Sequence, residues 1–141
     1  MEKTMEQTSV SLPEWTRKAR YINLTTFRRN GQAVPTPVWF VVHEGRLYVT
    51  TSEQSGKVRR IRANGRAQVA PSDLRGTPLG EFVQARACVV QDESLRRAVD
   101  AAFDRKYGLQ KKFFGLMARL RSPQSEDLTC FIELELDSPS R

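Results

Sequence analysis

At 141 residues the chain suits one domain, long enough to bury roughly two-thirds of its unfolded surface in a single core. Its 23 lysines and arginines against 16 acidic residues leave a net charge of +7, which favours nucleic acid, acidic lipid or a phosphorylated or polycarboxylate ligand without choosing among them. No apolar run approaches the ~18 residues needed to cross a bilayer, and one histidine, His43, gives no basis for a His-based metal site or triad.

The first dozen residues, Met1 to Leu12, are polar and acidic and show no signal-peptide pattern, so the expected compartment is the cytoplasm. Residues 1–11 and 138–141 read as flexible ends around one domain, 12–137. Tyr21 to Arg28 is a β-rich run, followed by Asn30-Gly31 and a second run from Ala33 to Val42. Asn-Gly between such runs is a strong hairpin signal, because both residues tolerate positive φ. Val38 to Val42 is apolar on both faces, so it is expected to be central and buried. Pro35 and Pro37 precede it at alternate positions, which predicts an irregular strand start with backbone groups left available. A second turn, His43 to Arg46, leads into a strand over Leu47-Tyr48-Val49-Thr50.

Thr50-Thr51-Ser52-Glu53-Gln54-Ser55-Gly56-Lys57-Val58-Arg59-Arg60-Ile61-Arg62 then joins that strand to a short basic helix. A hydroxyl-rich turn before a helix start suits a phosphate, since the first N–H groups lack intrahelical partners and carry the positive end of the dipole. Ser55 is a natural N-cap, and Lys57 and Arg60, three apart, share a face. Val58 and Ile61 share the next face and are expected to bury it. Arg59, Arg62 and Arg66 fall on a third, and Asn64-Gly65 is the stop signal.

Ala67 to Ala70 reads as a strand, and Phe82 to Val90 alternates, with Val83, Ala85, Ala87 and Val89 on one side. Asp92 is placed to cap a helix that runs to about Tyr107, with Gly108 past its end. A second helix from Gln110 to Arg121 pairs an apolar stripe (Phe113, Leu116, Met117, Leu120) with a basic face. Thr129 to Leu136 is the last strand, with Ile132, Leu134 and Leu136 inward. Cys88 and Cys130 both lie in strands and read as buried, reduced thiols. With so little intrinsic chemistry, any redox activity would come from a cofactor.

Four motifs in this order, Leu24–Gly31, Thr36–Phe40, Leu47–Thr50 and Ser55–Arg62, closely resemble the split β-barrel flavin and deazaflavin oxidoreductases related to pyridoxamine 5′-phosphate oxidase. The likeness is strongest to the actinobacterial branch dependent on coenzyme F420. It covers residues 12 to 136. It implies a mainly β fold, a six-stranded split barrel with short helices, assembled as a homodimer with its cofactor at the subunit interface. By the same resemblance Thr36, Pro37, Val38 and Trp39 lie along the ring of coenzyme F420 or, alternatively, FMN. Thr50, Thr51, Ser55, Gly56 and Lys57 hold the phosphate, with Arg60 as a second cation. The implied activity is hydride transfer to a small unsaturated or carbonyl substrate. Arg28, Arg75 and Arg86 are candidates for tail or substrate contacts, and no side chain is identified as a proton donor. A basic barrel that holds nucleic acid is the alternative of a different class. It is disfavoured because Trp39, Phe40 and Tyr48 are not interleaved with the basic run.

Overall fold

The computed structural model describes residues 12–121 and 129–137, with side chains outside 109–121. Strands β1 (Tyr21–Phe27) and β2 (Ala33–Val38) form the first hairpin. It turns through Asn30 and Gly31 (φ 90), and the Gly31 N–H donates to the Arg28 carbonyl at 2.8 Å. Strands β3 (Phe40–His43) and β4 (Arg46–Ser52) form the second. Its two-residue turn, Glu44 and Gly45, has φ of 51 and 81, the positive pair that matches the twist of a tight hairpin. Helix α1 (Gly56–Asn64), strands β5 (Arg66–Ser72) and β6 (Val83–Val89), helix α2 (Glu93–Arg121) and strand β7 (Thr129–Leu136) complete the order. Asp92 caps α2 by accepting the Leu95 N–H at 2.9 Å, and α2 breaks at Gly108 (φ 41, ψ −112), where the sequence places a helix end. The side chains of the stripe and basic face expected within 110–121 lie outside those described, as do both chain ends.

The strands make one antiparallel sheet in the order β2-β1-β5-β6-β7-β4-β3. It has seven strands where the sequence suggested six, because the run from Ala33 to Val42 is divided at Trp39. Val38 still pairs with Ile22 of β1, whereas Phe40 pairs with Val49 of β4. The run expected to be one central strand is therefore the two end strands, and Val42 is exposed. One residue joins the two ends of the ladder, so the sheet must curl until they meet. The end position also explains Pro35 and Pro37, since an end strand has one edge with no ladder to supply.

Alternation along each strand then sorts residues inside and outside the curl. Ile22, Leu24, Phe40, Leu47, Ile132 and Leu134 fill the interior, and Val58 and Ile61 of α1 join them. Burying those two α1 side chains stabilises the helix by about 1.5–3 kcal/mol each. Val41, Tyr48 and Phe131 face outward and meet Val99, Ala102, Phe103 and Tyr107 of α2. Tyr107 fastens the seam. Its hydroxyl lies 2.8 Å from the Arg20 carbonyl and 2.9 Å from that of Phe40, and accepts the Phe40 N–H at 3.1 Å. Burial pushes this phenol up to about 12. Lys106 Nζ donates to the same Phe40 carbonyl at 2.9 Å and sits 3.6 Å from the centre of the Phe40 ring. Cys130 is buried as expected, but Cys88 is exposed. It lies on the outer side of β6, where its thiol donates to Glu133 Oε1 at 3.4 Å.

Tyr107→Phe should lower stability by about 1–3 kcal/mol, because it leaves the buried Phe40 N–H without an acceptor; denaturant unfolding measures it. Burial, followed by the nearby Arg20 charge, lowers the Lys106 amine to about 8 from its ordinary 10.5. The folded state therefore releases this proton before the unfolded chain does, so stability should rise between those two pH values. Lys106→Met should remove that rise in a stability–pH profile.

Candidate functional site

Two concavities flank the β1–β2 hairpin. The first lies at α1 and is built by its N-terminal turn. Ser55 caps the helix, accepting the Val58 N–H at 3.4 Å, and its hydroxyl is 3.3 Å from that of Thr51. Among the described residues the N–H groups of Gly56 and Lys57 have no helical acceptor, as first-turn positions require. Arg60 turns back over this start. Its Nε donates to Thr26 Oγ1 at 2.7 Å, and its guanidinium passes so close to Gly56 that a Cβ there would lie 2.7 Å from Nη1. Gly56 is therefore a cradle that a side chain would fill.

Arg28, Arg29, Arg59, Arg60 and Arg62 line the cleft beside this cradle, about 470 Å³ in volume, and no acidic residue lines it. The sequence put Arg59 and Arg62 on a face apart from Arg60. The structure brings all three to one cleft, because the β1–β2 turn adds Arg28 and Arg29 from the other side. Among the described residues the one ion pair made by these arginines is Arg62 with Glu53 at 4.0 Å. Crowding shows in the titration. Burial, then Arg28 and Arg59, lowers the Arg60 guanidinium, and burial, then Arg60, lowers the Lys57 ammonium. Uncompensated like charges of this kind are relieved by an anion.

The second cleft, about 410 Å³, lies between the hairpin and the loop that follows β5. Thr36 and Pro37 line it with Asn23, Thr25, Arg75 and Gly76. Asn23 and Thr25 are buried, and they use their polar atoms internally. Thr25 Oγ1 donates to Asn23 Oδ1 at 2.7 Å, and Asn23 Nδ2 donates to the Gly76 carbonyl at 2.8 Å. Gly76 has φ 91, and a Cβ there would come within 3.2 Å of the Pro37 ring. It does more than permit a turn, since it seats the loop on β2.

Of the other expected residues, Thr50 is half-buried in β4 opposite Phe131. Val38 commits its side chain to the core, and Trp39 is half-buried with its indole stacked on Tyr107, 4.4 Å between ring centres and 10° from parallel. Thr36–Pro37 and Gly56–Arg60 thus line separate clefts of the chain, joined along β1. Thr26, which anchors Arg60, pairs with Val34, and Asn23 pairs with Pro37. Three residues of extended strand separate these points, about 10 Å. Sequence reasoning missed Asn23, Thr25 and Thr26; polar residues inside an otherwise apolar strand were the visible signal.

Gly56→Ala tests the cradle. Alanine suits a first helical turn, so folding should be unharmed in a thermal melt. The displaced guanidinium should cost about 1.5–3 kcal/mol of affinity for an inorganic phosphate or pyrophosphate probe, read by calorimetry.

Residues 12–136 match the Pyridoxamine 5'-phosphate oxidase family profile. No curated protein matches the sequence. Solved structures share the fold. The heme storage protein HutZ from Vibrio cholerae is 15% identical over 98% of this chain and 91% of its own, with a TM-score of 0.66. An FAD-binding protein from Mesorhizobium loti is 18% identical over 96% of this chain and 88% of its own, with a TM-score of 0.60. An F420 reductase is 18% identical over 89% of this chain and 96% of its own, with a TM-score of 0.51. At such identities these likenesses concern the fold. The family match runs through the barrel and both clefts, and the chain belongs to the pyridoxamine 5'-phosphate oxidase family.

Proposed function

We propose that this protein is a homodimeric oxidoreductase that binds a deazaflavin, coenzyme F420, with its phosphate at the start of α1. The observation that carries this reading is the cradle of Gly56 beneath the Arg60 guanidinium, opening onto five arginines with no lining carboxylate. Ser55, Gly56 and Lys57 offer a capped helix start, Thr50 and Thr51 precede it, and Lys57 and Arg60 supply charge. Thr36 and Pro37, in a proline-walled cleft about 10 Å along the strand, suit the ring, as an extended five-carbon polyol together with its bonds to ring and phosphate spans most of that distance. Val38 contributes through its backbone, and Trp39 closes the far end of the segment. When bound, such a cofactor supplies two-electron hydride chemistry toward a small unsaturated or carbonyl substrate. The chain's own part is to orient the ring, exclude water and hold charge.

The arginine cleft also bears on which cofactor is held. A single phosphate uses two or three cations, whereas Arg28, Arg29, Arg59 and Arg62 extend the positive surface beyond the helix start. Coenzyme F420 adds a carboxylate-rich tail to its phosphodiester and would use them; FMN would leave Arg28, Arg29 and Arg59 without an acidic partner among the described residues. A second protomer completes the enclosure, since one cleft of about 410 Å³ opens to solvent on one side of a flat ring. The fold's occurrence in an F420 reductase and an FAD-binding protein supports this class of ligand.

Titration of the coenzyme's fluorescence tests the reading. Coenzyme F420 should bind at micromolar levels or below and more tightly than FMN. Lys57→Ala should weaken it by about 1.5–3 kcal/mol, roughly ten- to a hundredfold. Arg97→Ala, an exposed change on α2 whose residue pairs with Glu93, should leave affinity within a few-fold. Absence of binding by both cofactors would sink the proposal.

A further inference from the structure

We propose that Arg75 is the cation that holds the negative charge of the reduced ring, and so sets the reduction potential; this rests on the cofactor reading above. Among the residues lining the β1–β2 cleft, Arg75 alone is charged. Pro35, Pro37, Pro78 and Phe82 wall it, and of the polar residues beside them Asn23 and Thr25 already use their side chains on each other and on the Gly76 carbonyl. Among the described residues its guanidinium meets no carboxylate. Asp73, the nearest acid in the loop, is occupied by backbone donors, accepting the N–H groups of Arg75 and Thr77 at 2.9 Å each. Those bonds hold its carboxyl below the usual carboxylate range, so it stays an acceptor for the loop.

The backbone of the loop is pinned on both sides of Arg75. The Gly76 N–H donates to the Asp73 carbonyl at 3.0 Å, the Asp73 N–H donates to the Thr77 carbonyl at 3.2 Å, and the Leu79 N–H donates to the Pro71 carbonyl at 2.7 Å. Through its carbonyl, Gly76 satisfies the buried Asn23 amide, so lifting the loop would orphan a buried donor. Gly76 also packs on Pro37, one of the two cleft residues assigned to the ring. The backbone that carries Arg75 is thus tied to the strand that would carry the ring.

Reduction by two electrons and one proton adds one net negative charge to a flavin or deazaflavin ring. A cation lining a cleft walled mainly by prolines favours the more negative form. Arg75 should therefore bind the reduced cofactor more tightly than the oxidised one, a preference equivalent to a raised potential.

The experiment compares dissociation constants of oxidised and chemically reduced coenzyme F420 for the full chain, for Arg75→Gln, for Arg75→Lys and for Lys57→Ala. Arg75→Gln should weaken the reduced form at least tenfold and the oxidised form by about twofold or less. For a two-electron couple each tenfold change in that ratio lowers the potential by about 30 mV. Arg75→Lys should restore most of the difference, because it restores the charge. Lys57→Ala should weaken both forms alike, since the phosphate's charge does not change on reduction. Equal weakening of both forms by Arg75→Gln, or none, overturns the role of Arg75 while leaving the cofactor reading intact. If the unaltered chain binds neither form, the cofactor reading fails and this role falls with it.

Discussion

Closure at Trp39 is the constraint on which the rest of this structure depends. Residues on either side of it belong to opposite ends of one ladder, Val38 to β1 and Phe40 to β4. The sheet can satisfy both only by curling, and the curl leaves Phe40 with backbone groups at the seam. Tyr107 and Lys106, immediately before the break in α2 at Gly108, supply partners to them, and the Tyr107 hydroxyl also reaches Arg20 just ahead of β1. A single phenol therefore ties the chain entering the sheet, the crossover and the long helix together. The interior volume that Val58 and Ile61 plug exists because of that closure. So does the position of β2 as an end strand, which makes room for a cleft beside its prolines.

Charge is distributed with a comparable division of labour. On the outside of the barrel, carboxylates and cations are matched, as where Arg46 lies 3.7 Å from Glu133 and 3.9 Å from Glu135. Tyr48, hydrogen-bonded to the same Glu133 at 2.9 Å, is raised by burial and by that carboxylate, so it stays neutral. At the start of α1 the matching thins, among the described residues, to one long pair, Arg62 with Glu53 at 4.0 Å. Arginines from the β1–β2 turn and from α1 face one cleft, and the Thr26 hydroxyl holds Arg60 by a neutral hydrogen bond. Such an arrangement costs folding free energy through like-charge repulsion, and an anion relieves it. The loop after β5 repeats the pattern on a smaller scale, with one cation, Arg75, and the neighbouring carboxylate of Asp73 held by backbone N–H groups.

What could be read from residues alone was whatever short-range physics decides. The Asn30-Gly31 and Glu44-Gly45 turns, the Ser55 cap, the αL stop at Gly65 (φ 70), the Asp92 cap and the alternation of β6 all depend on neighbours within a few positions. So did the helix start and the assignment of Val58 and Ile61 to the core. The family resemblance rested on these same local motifs, and the site residues around Ser55, Gly56, Lys57 and Arg60 followed from them.

Long-range pairing decided the remainder. An apolar run from Val38 to Val42 reads as a central strand because periodicity cannot show that its two halves pair with different partners. Cys88 reads as a buried thiol from cysteine spacing and compartment, although the alternation of β6 sets it on the side of Gln84 and Arg86, and the register with β7 places it there beside Glu133. Arg59 reads as belonging to another helix face because the helix alone does not show that Arg28 and Arg29 arrive from a turn some thirty residues earlier. Asn23 and Gly76 are 53 positions apart, and no local signal could join them. By itself the sequence determined the elements, their caps and the chemistry of the helix start. Only the tertiary structure decided the strand count, the closure and the company of Arg75, since those come from contacts whose free energy appears when distant segments meet.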